Sequence, residues 1–381
     1  MRAAIALAVL AATLTPAAAQ PAPMQAAAEG AGVQRAITLL DRGLYEEARG
    51  LLAPLAEARD PDAAYVLGYL YDRGLGVPAD PVSARRRYVA AAMDGQPDAQ
   101  FALGEIAYAG RGVQRDYRRA YEWFDLAAAK GHAKAAYMLG VLHAEGHGAP
   151  QDAQRAGDLY ERAAAAGVTA AMHQLGVMSL SGEGRAQSYT EAARWFERAA
   201  ELGDRDSQYN LALLHDSGRL PGGADLEEAV RWMRAAAADR PKAQIAMGLF
   251  SLRGRGTEQS DEAAARWFAT AAEIGDAEGM FLHAAALAEG MGQPRDLEAA
   301  LSWAERSLRA SAGEPMEMLE ERRELRDGLR EALAAPKRVT VATPSLSKPK
   351  PKPDGASSQT AEAPSSPVAS QAATRRRGLR R

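Results

Sequence analysis

Histidine side chains are the first candidates for metal chemistry in this chain, because the imidazole nitrogen is a common metal ligand. His143 and His147 stand four residues apart, which would place both on one face of a helix, but Gly146 between them indicates that the helix ends there. His173 and His283 occupy positions that packing explains. We therefore expect neither a metal site nor a cofactor.

Motifs for nucleophilic catalysis and for nucleotide binding are also weak. His215, Asp216 and Ser217 are consecutive, whereas a catalytic triad is assembled from residues far apart in the sequence. Pairs such as Gly74 and Gly76 look like the start of a dinucleotide-binding loop, but each pair closes a helix and lacks the third glycine. The chain has no cysteine, which excludes thiol catalysis, disulfides and cysteine-based metal sites.

These residues are set in a sequence repeat with a period of 36 residues. Glycine or alanine recurs at 68, 104, 140, 176, 212, 248 and 284, and glycine recurs six residues later each time, at 74, 110, 146, 182, 218, 254 and 290. A fixed period of this size is typical of stacked supersecondary units that share a continuous core.

Each unit reads as two helices. In the first, Asp60-Pro61 supplies a capping oxygen and a proline at the first helical position, and Gly74 ends the helix. Asp80-Pro81 begins a second helix that runs to Gly95. In later units the second helix is predicted to begin at Asp116, Asp152, Ser188, Asp225, Ser260 and Asp296. Capping-box spacing links Ser188 to Glu191 and Asp225 to Glu228.

The fifth unit carries a one-residue insertion in its Leu220-Pro221-Gly222-Gly223 loop, so Asp225 comes one position late. Arg240-Pro241 brings the period back into register.

Small and large side chains alternate in the predicted core. Alanine pairs such as Ala127-Ala128 would let helices approach, and all five tryptophans would fill the gaps at one shared position, as core residues rather than ligand-stacking ones. The predicted structural residues are Gly68, Gly74, Gly104, Gly110, Gly140, Gly146, Gly176, Gly182, Gly218, Gly248, Gly254, Gly290, Trp123, Trp195, Trp232, Trp267 and Trp303.

The pattern resembles the Sel-1-like repeat family, a branch of the tetratricopeptide-like helical repeats. The resemblance is carried by Ala99-x-Phe101-x-Leu103-Gly104, then Gly110-x-Gly112-Val113-x-x-Asp116, then Ala120-x-x-Trp123-Phe124 and Ala127-Ala128-x-x-Gly131. It implies an all-α protein, an α-solenoid wound as a right-handed superhelix of antiparallel helix pairs.

The resemblance also implies a role as an adaptor or scaffold in protein assemblies. Exported bacterial members that this chain resembles include periplasmic regulators and virulence-related binding factors. A cysteine-rich branch is linked to penicillin binding or β-lactam hydrolysis, and the absence of cysteine speaks against that activity here.

Two rows of residues on the first helices are candidates for partner binding. In related helical repeats the first helix lines the concave face, so these rows would form an apolar and aromatic groove for a protein or peptide. Alternatively, they pack between neighbouring repeats. The candidate groove residues are Tyr65, Tyr69, Phe101, Glu105, Tyr137, Val141, His173, Val177, Tyr209, Leu213 and Leu249.

The N-terminus has the layout of a secretory signal peptide. Arg2 precedes an apolar run over 5–14 that is too short to span a bilayer, and Ala17-Ala18-Ala19 forms a small-residue cleavage site. We expect an exported protein, periplasmic or alternatively secreted, without a transmembrane anchor after cleavage. A retained anchor is the less favoured alternative.

The remaining segments complete the predicted organisation. It comprises a signal peptide at 1–19, a linker at 20–31, a degenerate capping repeat at 32–59, seven repeats at 60–311, a capping helix at 312–335 and a disordered basic tail at 336–381. Met316, Leu319, Leu325, Leu329 and Leu333 are expected to face the last repeat.

Charge divides unevenly between body and tail. Residues 20–335 hold 35 basic and 47 acidic residues, a net charge of −12, whereas 336–381 hold ten basic and two acidic residues, a net charge of +8. The tail is expected to stay solvated, to contact an acidic envelope surface, or to fold back on the acidic body; nucleic acid is a poor candidate for an exported chain.

Together these features predict a non-catalytic adaptor, scaffold or regulator in the bacterial cell envelope. The alternative is an envelope hydrolase acting on peptidoglycan-like or β-lactam substrates, because paired carboxylates cannot be recognised in a sequence this rich in charge.

Overall fold

The computed structural model describes residues 31–311, 313 and 315–334. Within this part of the chain, all 17 regular elements are α-helices. They are α1 (Ala31–Asp41), α2 (Tyr45–Glu57), α3 (Pro61–Arg73), α4 (Pro81–Met93), α5 (Pro97–Ala109), α6 (Tyr117–Ala129), α7 (Ala133–Glu145), α8 (Ala153–Ala165), α9 (Thr169–Ser181), α10 (Tyr189–Glu201), α11 (Arg205–Ser217), α12 (Leu226–Ala236), α13 (Pro241–Arg253), α14 (Asp261–Glu273), α15 (Ala277–Glu289), α16 (Leu297–Ala310) and α17 (Met316–Ala334).

The helices form two compact units. The N-terminal unit ends at Ala166 and contains α1–α8, and the C-terminal unit begins at Gly167 and contains α9–α17. Inside each unit the helices pair as hairpins, and each hairpin packs on the next. The predicted α-solenoid class is therefore confirmed. The signal peptide at 1–19, the linker up to residue 30 and the tail at 336–381 lie outside the described residues.

The predicted helix starts and stops are confirmed in the first full repeat. Asp60 Oδ1 accepts hydrogen bonds from two backbone N–H groups of α3, at 3.0 and 2.9 Å. Helix α3 ends at Gly74, whose φ of 66° lies in the left-handed region that glycine adopts without steric cost. Asp80 caps α4 in the same way.

A hydrogen bond between the two helices closes each hairpin. The N–H of Asp80 donates to the carbonyl of Tyr71 near the end of α3, at 2.9 Å, and the N–H of Ser188 donates to Ser179 at 2.8 Å. The N-cap residue therefore binds both helices, since its side chain caps the second helix while its backbone holds the first.

This bond limits the capping boxes that the sequence predicts. Ser188 Oγ accepts from the N–H of Glu191 at 3.2 Å, but the Glu191 carboxylate pairs with Arg194 at 2.6 Å. The cap N–H is already bound to the preceding helix, so only half of the box forms. In the fifth repeat, Asp225 accepts a hydrogen bond from the N–H of Glu228 at 3.1 Å, while the Glu228 carboxylate pairs with Arg231 at 2.7 Å.

The one-residue insertion in the fifth repeat changes only the helix that follows it. Helix α12 begins at Leu226, one residue late, and has 11 residues where most second helices have 13. Helix α13 begins at Pro241, back in register. The insertion therefore shortens one helix without shifting the repeats that follow.

The repeated glycine of the first helix lies against an aromatic ring of the second helix. A Cβ built on Gly104 would approach the Phe124 ring to 2.5 Å, and one on Gly140 would approach the Tyr160 ring to 2.6 Å. Equivalent contacts join Gly68 to Tyr88, Gly176 to Phe196 and Gly248 to Phe268. The small residue at this position is needed because the buried ring occupies the space of a side chain.

The tryptophans and the residues that follow them are buried to different degrees. The fully buried side chain belongs to the following residue, as in Phe124, Phe196 and Phe268, all 0% exposed. All five tryptophans are half-buried. Those that pack on the buried clusters are Trp123, Trp232, Trp267 and Trp303. Arginine side chains lie over three of the tryptophan rings. The distances from the guanidinium carbon to the ring centroid are 4.7 Å for Arg198 and Trp195, 4.5 Å for Arg231 and Trp232, and 3.9 Å for Arg306 and Trp303.

The last helix is buried along a stripe that includes a charge. Leu325 and Leu329 are buried against α15 and α16, as predicted. Met316 and Leu333, however, are 63% and 39% exposed, so the prediction that they face the last repeat is wrong. Arg322 occupies the stripe instead and is 1% exposed, because Ser311 and Glu278 accept hydrogen bonds from its guanidinium.

Candidate partner-binding surface

Within each compact unit, two rows of residues define the surface that we call the first-helix face of that unit. Row one holds Tyr65, Phe101, Tyr137, His173, Tyr209, Ile245 and Phe281. Row two lies one turn later and holds Tyr69, Glu105, Val141, Val177, Leu213 and Leu249. The four-residue offset places the rows side by side on each helix.

Row one of the N-terminal unit packs against the second helix of its own repeat, and Phe101 also stacks on His132, the cap of the next first helix, with centroids 4.5 Å apart. Ring centroids lie 5.8 Å apart for Tyr65 and Tyr88, and 5.6 Å apart for Phe101 and Phe124. Tyr137 lies against the second helix of its own repeat in the same way. These aromatic rings are half-buried, so one part of each supports the core and another part remains on the surface.

Three candidate groove residues are buried, so at these positions the alternative, packing in the core, holds rather than contact with a partner. Val141 is 6% exposed, His173 is 7% exposed and Tyr209 is 8% exposed. Side chains with so little free area belong to the core of their own unit, where His173 packs against Phe196 at 5.6 Å between centroids.

Row two of the C-terminal unit keeps apolar surface on three successive first helices. Val177, Leu213 and Leu249 are half-buried, and each packs against a fully buried cluster beneath it. Side chains that are already packed from below lose little conformational entropy when a partner binds to them. The arrangement can bury apolar side chains of another polypeptide.

Row two of the N-terminal unit differs, because it carries a carboxylate. Glu105 is half-buried, and burial raises the pKa of its carboxyl while Arg111, Lys134 and Arg73 counteract the shift. Beside it, the guanidinium of Arg73 lies 5.7 Å from the Tyr69 ring centroid.

A serine, a histidine and an aspartate meet in the C-terminal unit without forming a catalytic arrangement. His173 Nδ1 lies 2.9 Å from Ser207 Oγ and 3.4 Å from Asp204 Oδ1, so hydroxyl and carboxylate share one ring nitrogen. In a triad the two groups bind opposite nitrogens of the imidazole. Ser207 is also 0% exposed, which closes its hydroxyl to a substrate. The cluster gives the hydrolase alternative no support.

The other histidines hold structural positions. His143 Nδ1 lies 3.3 Å from the carbonyl of Pro150, and His147 stacks on Tyr117 with centroids 4.4 Å apart. Among the residues that the structure describes, no three histidines or carboxylates come close enough together to hold a metal ion.

Polar bridges between successive first helices escaped the sequence prediction. His132 caps α7 and its Nε2 lies 3.4 Å from Asp98 Oδ1, while Arg240 precedes α13 and pairs with Asp206. Burial alone would raise the pKa of Asp98, but hydrogen bonds from His132 and Gln96 outweigh it, so the pKa is lowered. A separation of 34 residues, two short of the period, is the signal that reveals these pairs.

Comparison with known proteins identifies the repeat. The model of the Sel1 repeat matches residues 61–95, 97–132, 133–168, 169–204, 205–239, 241–276 and 277–311. The chain belongs to the Sel1 repeat family. Sel1 repeat proteins are generally protein-interaction scaffolds, and the family is typically non-catalytic, so proteins are the partners that membership suggests.

Two solved structures are among those similar to this chain. A Sel1 repeat protein from Oxalobacter formigenes is 32% identical, with a TM-score of 0.58, over 63% of this chain and 99% of its own. A protective antigen of uropathogenic Escherichia coli strains with an SLR fold is 22% identical, with a TM-score of 0.40, over 79% of this chain and 85% of its own. No curated protein matches this Sel1 repeat protein. In the described part of the chain, no helix combines the length and apolar character needed to cross a membrane.

Proposed function

We propose that this Sel1 repeat protein is an exported, non-catalytic scaffold or regulator of the bacterial cell envelope. It binds a partner protein or peptide on the first-helix face. The observation that supports this most strongly is row two of the C-terminal unit, where Val177, Leu213 and Leu249 keep apolar surface on three successive first helices.

A half-buried apolar row gains stability when a partner covers it. Half-exposed valine and leucine contribute less to folding than they would if fully buried, and a partner that covers them removes their remaining apolar area from water. Rigid apolar anchors of this kind carry much of the binding energy in protein interfaces. An apolar segment of a partner, helical or extended, fits a row of this character.

The test replaces Val177 and Leu213 with glutamate, separately and together. A charge in the row should weaken partner capture by at least tenfold in crosslinking and pull-down from the exported fraction, because an unpaired carboxylate would be buried at the interface. Leu202→Glu is the matched control, since Leu202 is 60% exposed and lies outside the row.

Circular dichroism distinguishes loss of the binding surface from loss of the fold. Helical content close to that of the wild type supports a surface role for Val177 and Leu213. A collapse of the helical signal would show that both residues are core, and unchanged capture by a folded variant would refute the proposed surface.

The place of action is tested separately. We propose that residues 1–19 direct export to the periplasm and that the basic tail at 336–381 reaches acidic envelope surfaces. Fractionation of cells that express the full chain, or a chain without 336–381, at two salt concentrations measures both. Retention in the cytoplasm would contradict export, and envelope association that depends on neither the tail nor salt would contradict the electrostatic role.

A further inference from the structure

Glu105 is the charged residue in an otherwise uncharged row. The seven repeats carry Tyr69, Glu105, Val141, Val177, Leu213, Leu249 and Ala285 at this position of the first helix. Val141, Val177 and Leu249 show that an apolar side chain suits the position structurally. Packing therefore does not explain the carboxylate at this position.

The carboxylate of Glu105 makes no hydrogen bond or ion pair with any residue that the structure describes. Arg111, Lys134 and Arg73 lie near enough to act electrostatically on this carboxylate, but none of them is within ion-pair distance of it. Arg73 lies over the Tyr69 ring, and Arg111 Nη1 lies 3.9 Å from Asp72 Oδ2. The position thus holds a half-buried carboxylate without a direct protein partner, in a row whose other members are uncharged.

Aromatic residues hold the neighbouring positions of the first-helix face, and one of them, Phe101, also stacks on His132 with centroids 4.5 Å apart. Tyr69 holds the same row in the preceding repeat, and Phe101 lies one turn before Glu105 on α5. Tyr65 lies close enough for its hydroxyl and the Glu105 carboxylate to interact electrostatically. Aromatic faces attract cations, as Arg73 over Tyr69 demonstrates within this unit.

We propose that Glu105 and the flanking rings of Tyr65, Tyr69 and Phe101 form a binding site for a lysine or arginine side chain of the partner polypeptide. The carboxylate supplies a charge-assisted hydrogen bond, and the rings contact the aliphatic stem and the cationic head. This inference rests on the proposed function, because it assumes a polypeptide on the first-helix face. It assigns the N-terminal unit a polar specificity that the apolar row of the C-terminal unit lacks.

The experiment is a selection of random 12-residue peptides on the purified full chain. The wild type is compared with Glu105→Gln and with the matched control Glu122→Gln, which removes a carboxylate from an exposed position on α6 of the same repeat. We expect the wild type and the control to enrich peptides with lysine or arginine at a fixed position. Glu105→Gln should lose that enrichment.

A direct affinity measurement follows from the selection. One enriched peptide is synthesised with its basic residue and with norleucine in its place, and both are titrated against the wild type and Glu105→Gln. The wild type should bind the basic peptide about tenfold more tightly than the norleucine peptide, and the variant should bind the two about equally. Equal preference in both proteins would overturn the inference.

Two further outcomes separate this inference from the proposed function. Enrichment of peptides without a basic residue would overturn the inference and leave the proposed function standing, whereas enrichment of no peptide would overturn both. Thermal unfolding gives an independent readout. A site kept for binding predicts that Glu105→Gln is at least as stable as the wild type, and a clear loss of stability would show that Glu105 serves the fold.

Discussion

The ring of Phe124 packs directly against the backbone of Gly104, so closely that a methyl group added at Gly104 would lie 2.5 Å from Phe124 Cδ1. Phe124 is 0% exposed and comes from the second helix of the same repeat. The contact sets how near the two helices of a hairpin lie. It turns the recurring glycine into a packing requirement rather than a preference of the backbone.

Replacing Gly104 with alanine should therefore destabilise the protein, although alanine is the better helix former. Overpacking a filled core costs about 1–3 kcal/mol, which exceeds the gain of about 1 kcal/mol from helix propensity. Chemical unfolding followed by circular dichroism measures the difference.

Gly50 provides the matched control for that substitution. It lies inside α2, and a Cβ there would meet nothing within 4 Å. Gly50→Ala should raise stability by up to about 1 kcal/mol. A second substitution, Phe124→Leu, should recover part of the loss in Gly104→Ala by freeing space. Equal effects of alanine at both glycines would contradict the packing explanation.

Arg322 should be essential for docking of the last helix. Its Nη2 lies 3.0 Å from Glu278 Oε2, so Arg322→Ala leaves Glu278 and Ser311 without this donor and removes buried volume. The expected loss is about 3 kcal/mol, and Arg322→Met should lose less because it keeps the packing of the stem. Hydrogen exchange within α17 is the local measurement.

Arg323 offers the comparison, since it is the exposed neighbour of Arg322 on the same helix. Arg323→Ala should change stability by less than about 0.5 kcal/mol. Protection in α17 that survives the loss of Arg322 would show that Leu325 and Leu329 hold the helix alone.

His283 should make stability depend on pH in the mildly acidic range. Burial lowers its pKa below the ordinary value of 6.5, since Nδ1 lacks a hydrogen-bond partner among the described atoms and the ring meets Trp303 edge-on at 5.4 Å. Below pH 6.5, His283 of the unfolded chain binds a proton more readily than His283 of the folded protein, because its pKa is higher in the unfolded chain. Stability should therefore fall as the pH drops below 6.5.

The variant His283→Leu measures this contribution. The change in melting temperature between pH 7.5 and pH 5.5 should be smaller in the variant than in the wild type, because the buried group no longer titrates. Melting temperatures that change equally in both proteins over this interval would show that His283 contributes nothing to the dependence.

Local signals in the sequence predicted most of the helix boundaries. Asp60, Asp80 and Gly74 act within a few residues of themselves, so their meaning is readable without knowledge of what packs nearby. The insertion before Asp225 was readable for the same reason, since a fixed period exposes any departure from it.

Assignments that depended on neighbours in space were less successful. Burial and surface look alike in an amphipathic pattern, so the sequence left open whether the first-helix rows were groove or core, and the structure buries Val141, His173 and Tyr209. It also did not show that the residue after each tryptophan, rather than the tryptophan, would be the fully buried one. A buried Arg322 could not be foreseen, because its acceptors Ser311 and Glu278 are brought to it only by the packing of α17 on the last repeat.

Interactions repeated every 36 residues fix the α-solenoid class, the helical hairpin and its caps, so the chain alone was enough to predict them. Which side chains of the first helices remain on the surface follows instead from packing in the folded protein. Their exposure depends on how closely the neighbouring helix packs, as Phe124 packs against Gly104. No local feature of the sequence indicates that distance.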